Sequence, residues 1–551
     1  MNRTDFFLIA CSLFIVSCTS ADKRNEGVAA LNADSLLHNI SILASDSFQG
    51  RMPFTQGEKM TTDFLRRSFE AQGLQPGNGD SYFQEVPMVN ILAKADPTME
   101  VKSKKSDYFL QAFNEYVIWT NKTDERITLE NTPVVFAGYG VVAPEYNWND
   151  YEGLDVKGKV VLVMVNDPGF WNGDTTLFKG RTMTYYGRWT YKFEEAARQG
   201  AKACFVIHRT SAAGYPFRVV QNGFNESRLQ LDKRGKNELN CDAIGWIKDT
   251  IVEKLFKDAG YDSTLFEKAN HRGFKAVPLN MSFSTSMKVQ ATYDKSKNVI
   301  GKITGSTRPD EVIIYTSHWD HLGVGKPDET GDSIYNGALD NASGIAGLLE
   351  LARAFKSLTT PPGRTIVFLA VTGEEQGLLG SEYYTANPVY PINKTVAEIN
   401  MDVLNNFGAT KDVVVVGLGQ SQLEDYLADE VKKAGGYVVG ESTPETGGYF
   451  RSDHFNFAKV GIPALYSGSG TDIPGKGKVF GQQLKNEYVS KNYHRPSDEL
   501  TNDWKTDGAI RDLQLLFGVG KRLAFESSWL QWKPTSEFKA VRDKNPPKIR
   551  Q

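Results

Sequence analysis

Six side chains with affinity for hard metals lie in the second half of the chain, each beside an apolar run: His318, Asp340, Glu374, Glu375, Asp402 and His494. His318 opens His318-Trp319-Asp320-His321 directly after Val312-Ile313-Ile314-Tyr315-Thr316-Ser317. Asp340 lies in Asn336-Gly337-Ala338-Leu339-Asp340-Asn341-Ala342-Ser343-Gly344. The Glu374-Glu375 pair follows Ile366 to Gly373, Asp402 closes Val396 to Met401, and His494 falls in Tyr493-His494-Arg495-Pro496. Imidazole and carboxylate suit zinc, and the lack of thiolate argues against a closed structural zinc site. Two histidines and three carboxylates are enough for two metals, provided one carboxylate bridges. Such a pair clamps a water and a substrate oxygen, and bound zinc lowers the pKa of water from about 15.7 to about 7. At about 1.36 kcal/mol per unit, that makes hydroxide available by roughly 12 kcal/mol.

Adjacent glutamates after a strand point apart, so one can ligate while its neighbour acts as a general base. Asp320, two residues past His318, can reach the far ring nitrogen of an imidazole and fix its tautomer. The small residues around Asp340 let the backbone approach a metal closely. Taken singly each piece is ordinary: a Glu-Glu pair is usually a solvated face, and an Asp at a strand end is often a turn residue. Their joint occurrence after successive strands is not ordinary.

The elements that must position them follow a βα rhythm after about residue 285. Apolar runs predict strands near 296–304, 311–317, 365–372, 396–402 and 412–417, alternating with helices near 343–357, 377–386 and 422–434. The expected fold class is α/β, a mostly parallel mixed sheet flanked by helices. Parallel sheets collect functional groups at the carboxyl ends of their strands. Residues 30 to 75 read as two helices, with Asp34 as a cap of the first and Gly73 ending the second. Between about 110 and 280 the texture changes to short apolar strands bounded by Gly and Pro, with none of the six ligand-type positions; this reads as an inserted β-rich domain.

At 551 residues the chain is too long for one core. Its 63 basic and 66 acidic residues give a net charge of −3, with no basic excess for nucleic acid. Asn2-Arg3 and the apolar run Phe6 to Val16 read as an export signal, too short to span as a mature helix. Ile15-Val16-Ser17-Cys18 resembles a bacterial lipobox, which makes Cys18 the expected lipidation site and the cell envelope the expected location. Cys204 and Cys241 are left in the body, either as a disulfide or as two buried thiols.

At Ser317-His318-Trp319-Asp320-His321-Leu322-Gly323, Gly337 to Gly344, Thr372-Gly373-Glu374-Glu375-Gln376-Gly377, Asn400-Met401-Asp402 and Tyr493-His494 the chain resembles the double-zinc exopeptidases, which include bacterial leucyl-type aminopeptidases and glutamate carboxypeptidase. The resemblance covers roughly 285 to 525 and the helices before 90. Phe136-Ala137-Gly138-Tyr139-Gly140 and Val156 to Leu162 resemble a protease-associated domain. The division this implies is a signal at 1–17, a tether at 18–29, a catalytic domain at 30–110 and 281–530, the insert at 111–280 and a tail at 531–551.

The resemblance implies two Zn2+ per chain, one held by His318, Asp340 and Asp402, the other by Asp340, Glu375 and His494. It makes Glu374 the base acting on a metal-bridging hydroxide, Asp320 an orienting residue, and the Asp340–Asn341 peptide cis. Peptides are the implied partners, with N-terminal residues released from them; membrane contact is expected only through the N-terminal lipid. Tyr449, after Gly447-Gly448, is a candidate substrate contact. His321 reads as a packing residue and Ser452-Asp453-His454 as architecture. A carboxypeptidase on the same scaffold stays open through Arg451 and Arg495. A glutaminyl cyclase is disfavoured by the full ligand set, as is a receptor-like binding protein that has lost its metals.

Overall fold

The computed structural model describes residues 26–236 and 239–547. The signal-type segment, Cys18 and most of the expected tether lie outside the described residues. No described helix is long and apolar enough to cross a membrane.

Helix α1 (Ala33–Leu43) starts at Asn32, whose side chain accepts from Ser35 N at 2.8 Å. Asn32 is therefore the cap, and Asp34 sits in the first turn, where its charge complements the helix dipole. Helix α2 (Gln56–Ala71) buries Thr61, Leu65 and Phe69 on one face, and Gly73 follows it in the left-handed region at φ +70°.

Eight strands form the sheet that carries the site: β1 (Phe83–Ala95), β2 (Val277–Ile303), β3 (Arg308–His318), β4 (Arg364–Val371), β5 (Thr395–Asn400), β6 (Asp412–Val415), β7 (Tyr437–Gly440) and β8 (Ala464–Ser469). Their order is β1-β2-β4-β3-β5-β8-β6-β7. The centre, β4-β3-β5-β8, is parallel, whereas β2 runs antiparallel to β1 and β4, and β6 antiparallel to β8. The sheet is thus mixed with a parallel heart. Alternate residues of β3 serve opposite cores. Ile313 and Tyr315 face helices α1, α3 (Ser343–Lys356) and α7 (Asp507–Phe525), while Val312 and Ile314 face Tyr384, Phe457, Trp532 and Phe538. Burial on both faces explains why these strands read as unbroken apolar runs. Helices α4 (Leu379–Ala386), α5 (Leu423–Lys433) and α6 (Gly477–Lys491) complete the flanks.

Residues between Val89 and Val289 build two further cores. There Ala203–His208 runs parallel to both Val160–Met164 and Ala243–Lys248. The 27-residue strand β2 joins the two regions: its first half pairs with Arg126–Phe136 and Thr98–Ser103, its second half with β1 and β4. Cys204 and Cys241 are free thiols, both buried. Residues 531–547 pack against the body rather than trailing from it. Trp532 Nε1 donates to Gly461 O at 2.9 Å, and the buried Arg542 donates to Ile392 O at 3.1 Å and Thr395 O at 3.0 Å.

Candidate metal centre

Parallel register brings the first ligands together. Thr316 on β3 pairs with Asn400 on β5, so His318 and Asp402, each two residues further on, emerge side by side. His318 Nε2 lies 3.2 Å from Asp402 Oδ1. On the other side His318 pairs with Val371 of β4, and the chain then turns through Gly373 (φ +65°) into Glu374 and Glu375. Glu374 N donates to Asp320 Oδ1 at 3.1 Å, which ties the ends of β3 and β4 together.

Asp340 arrives from a distorted turn leading into α3, with a cis peptide to Asn341. Asp498 holds that turn, accepting from Leu339 N at 3.1 Å and Asp340 N at 3.0 Å. Asn341 joins it to the strand ends, donating to Ser317 Oγ at 3.0 Å and Met401 O at 3.1 Å. Asp340 then stands between the two histidines: its Oδ1 is 3.3 Å from His318 Nε2 and its Oδ2 is 3.3 Å from His494 Nε2. His494 Nε2 is also 3.1 Å from Glu375 Oε2.

All five expected ligands therefore converge, in two groups sharing Asp340. Ligand atoms at about 2.0–2.1 Å from a tetrahedral zinc stand roughly 3.3 Å apart. The ligand-to-ligand distances found here, 3.1 to 3.3 Å, match that spacing. Asp340 Oδ1 and His494 Nε2 are buried with no hydrogen-bond partner, as expected of atoms aimed at a cation. The electrostatics agree. Burial opposes charge on His318, yet Glu374 and Asp402 beside it hold its pKa well above the ordinary imidazole range. Burial also opposes ionisation of Asp340, but the His318 and His494 imidazoles beside it overcome it and hold that carboxyl far below the usual range. A nest of carboxylates that stabilises positive charge so strongly fits a pair of divalent ions.

Two placements differ from the sequence reading. His318 Nδ1 lies 3.1 Å from the backbone carbonyl of Asp320, while the Asp320 carboxylate is 3.9 Å away. The carbonyl therefore orients the ring, because Asp320 turns its carboxylate to the amide of Glu374 instead. His321 does more than pack. It is fully buried, its Nδ1 lies 2.6 Å from Glu375 Oε1, and it forms a compact ligand-type group with Asp340 and Glu375.

Two further supports hold the site: Ser452, which the sequence reading gave as architecture, and Arg51, which carried no sequence signal. Ser452 Oγ donates to Asp402 Oδ2 at 2.7 Å and accepts from Asn400 Nδ2 at 2.7 Å. The buried Arg51 donates to Trp319 O at 2.9 Å, Asn336 O at 2.6 Å, Gly337 O at 2.9 Å and Leu43 O at 2.7 Å, binding the His318 and Asp340 loops to the first helices.

A cleft of about 270 Å3 opens over the ligands, lined by Asp340, Glu374, Asp402, Glu441, Arg451 and Tyr493 among others. Glu374 is held by burial well above the carboxylate range, with His318 opposing. Tyr449 is 5% exposed and turns into an aromatic cluster with Phe450, His454 and Phe538; its neighbours Gly448 and Arg451 form the cleft wall. Arg495 is exposed, next to His494.

Residues 298–518 match the sequence profile of Peptidase family M28. The M28 region contains all the candidate ligands, whereas Arg51 and the strands between 98 and 277 lie before it. A probable zinc metalloprotease of Pyricularia oryzae is 36% identical over 200 residues, 36% of this chain and 35% of that protein. Aminopeptidase NAALADL1 of Mus musculus is 37% identical over 113 residues, 20% of this chain and 14% of its own. The chain thus spans about a third or less of the length of these curated relatives. Among solved structures, an aminopeptidase from Aneurinibacillus sp. strain AM-1 aligns over 93% of this chain and 97% of its own, at 18% identity and a TM-score of 0.49.

Proposed function

We propose that this protein is a two-zinc exopeptidase of the aminopeptidase type. The observation that carries the reading is the pair of ligand groups joined at Asp340, beneath a cleft that Glu374 lines. His318, Asp340 and Asp402 would hold one zinc, and Asp340, Glu375 and His494 the other. Bound there, the ions would supply Lewis acidity to a peptide carbonyl and a lowered pKa to water. Glu374 is the proton carrier. Its carboxyl lines the cleft and is destabilised as an anion by burial, so it accepts a proton readily and returns it to the leaving amine. Asp320, Ser452 and Asp498 keep the ligand side chains and loops in place.

Beside the cleft lies a chamber of about 340 Å3, which shares Asp402, Val403, Val416, Tyr466 and Tyr493 with it. It accommodates the side chain of the residue being released. Glu441, on the cleft wall, suits a free ammonium group; Arg451, on the same wall, is the one feature that favours a carboxypeptidase. A lipid-anchored, envelope-facing enzyme is the setting we propose from Cys18 and the apolar run before it.

The test is chelator-sensitive hydrolysis of aminoacyl 4-nitroanilides, set against N-acetylated versions of the same compounds. The free amines are expected to be cleaved and the blocked ones spared. Glu374→Gln is expected to bind the full metal complement with turnover down by about 10²-fold or more. Near-normal hydrolysis by that variant would refute the assignment of Glu374.

A further inference from the structure

The chamber beside the cleft has an ammonium group in its lining. Its walls are largely apolar, with Leu404, Phe407, Val414 and Val489 among them, yet Lys485 of α6 lines it too. The Lys485 ammonium donates to Ser469 O, another lining residue, at 2.6 Å. An ammonium has three donors, so one acceptor leaves two unassigned. No carboxylate pairs with it at ion-pair distance among the described residues. The two carboxylates that act on it from beyond ion-pair distance are each engaged through one oxygen: Asp512 Oδ2 accepts Ser469 N at 3.1 Å and Ser469 Oγ at 2.7 Å, and Asp412 Oδ1 accepts Asp472 N at 2.7 Å. Burial pushes the Lys485 pKa down, against the pull of those two carboxylates.

The helix holds this group in place. Gly481 is the buried residue of α6 and packs so tightly on Thr471 that a Cβ would stand 2.1 Å from Thr471 O. Lys485 is one turn further on the same face. The two anchors of α6 therefore fall on the last residue of β8 and two residues beyond it, and they hold the ammonium in the chamber's lining.

A cation in apolar surroundings with spare donors is costly unless an anion meets it. The low local dielectric that makes it costly also strengthens any pairing that forms. The chamber shares Asp402, Val403 and Tyr493 with the metal cleft, so a side chain of the scissile residue seated there has Lys485 in its wall. We infer that Lys485 is a specificity-determining residue that selects an acidic side chain, glutamate or aspartate, on the residue the enzyme releases. This rests on the aminopeptidase reading above.

The experiment compares kcat/KM for Glu-, Gln- and Leu-4-nitroanilide in the wild-type holoenzyme, Lys485→Met and Lys485→Gln, the last of which keeps a donor for Ser469 O. Glu and Gln differ in charge and little in shape, so their ratio isolates the ammonium. The wild type is expected to favour Glu over Gln by at least tenfold, and both variants to bring that ratio near one; Lys485→Met is expected to move the preference to Leu. Calorimetric titration with free L-glutamate and L-leucine should show the same order, with glutamate binding weakened at least tenfold in both variants. A wild type that cleaves Leu faster than Glu, with a Glu-to-Gln ratio unmoved by either variant, would overturn the inference and leave the aminopeptidase reading standing. If no free-amine substrate is cleaved, the functional reading fails. Glutamate binding that depends on Lys485 then supports the subsite, and binding indifferent to it overturns the subsite as well.

Discussion

Single residues set the tolerances of this site. Ser452 fixes Asp402, Asp498 fixes the backbone of Asp340, and a backbone carbonyl fixes the His318 ring. His454, two residues past Ser452, titrates in a way that can be measured. Its ring is fully buried between Tyr449 and Tyr466, at centroid distances of 4.7 and 5.0 Å, and burial pushes its pKa down to about 3. A depressed histidine is neutral in the native state and takes up a proton on unfolding below its ordinary pKa of about 6.5. Its contribution to stability is therefore complete above about pH 6.5 and declines as pH falls toward 3, by about 1.4 kcal/mol per pH unit. His454→Phe removes this slope. Urea unfolding at pH 6.5 and 5.0 should show the variant losing about 2 kcal/mol less than the wild type over that interval; equal losses would mean that the imidazole is already protonated in the native protein.

At the scale of elements, strand ends and loops are coupled through groups far away in sequence. Arg51, from the turn after α1, spans the loops that carry His318 and Asp340 with four donated hydrogen bonds. Burial lowers its pKa to about 10, with Asp498, Asp320, Asp340 and Glu375 opposing, so it stays charged at neutral pH. Arg51→Met leaves the buried carbonyls of Leu43, Trp319 and Asn336 unpaired, Gly337 O keeping the amide of Ala342, and should cost on the order of 3–5 kcal/mol in chemical denaturation, together with weaker zinc binding. Unchanged stability would show that the carbonyls find other donors.

This coupling also marks where sequence reading succeeded. The strands of the parallel heart were legible because burial on both faces forces long apolar runs, and His318, Glu374, Glu375 and Asp402 stood out as candidates because they follow those runs. Strand β2 was placed only from residue 296, because its first half alternates buried and exposed residues that include Lys288, Gln290 and Asp294. Helix α6 left no stripe to read, since Gly481 is its buried residue. Ser452 was legible as architecture, but its partners, like those of Arg51, are set by tertiary folding, and no spacing rule reaches them. His321 was in plain view, but one imidazole beside another carries no sign of which will face a glutamate on the neighbouring strand.

Across the whole molecule, residues 166–187 reach the wall of the metal cleft from before the M28 match. The turn 443–447 lies against it. Asn166 Nδ2 donates to Glu445 O at 3.1 Å, Met183 N donates to Pro444 O at 3.2 Å, and Tyr185 packs on Phe450 and Phe455. Thr446 O in that turn accepts from Arg451 Nη2 at 2.8 Å, and Arg451 lines the cleft. Asn166 is itself held from below, because its carbonyl accepts from the buried Lys192 at 2.9 Å. The 166–187 segment thus steadies the cleft wall without touching a metal ligand. Asn166→Ala is accordingly expected to raise KM severalfold while metal content stays full; a fall in bound zinc would instead place this contact in the metal site.

The account as a whole requires two ions sharing one aspartate, and zinc-edge anomalous diffraction from crystals of the zinc-loaded protein tests that requirement most directly. Two peaks roughly 3.5–4 Å apart on either side of the Asp340 carboxylate are expected, one against His318 and Asp402, the other against Glu375 and His494. A single peak, or two peaks with Asp340 bound to neither or only one, would contradict it.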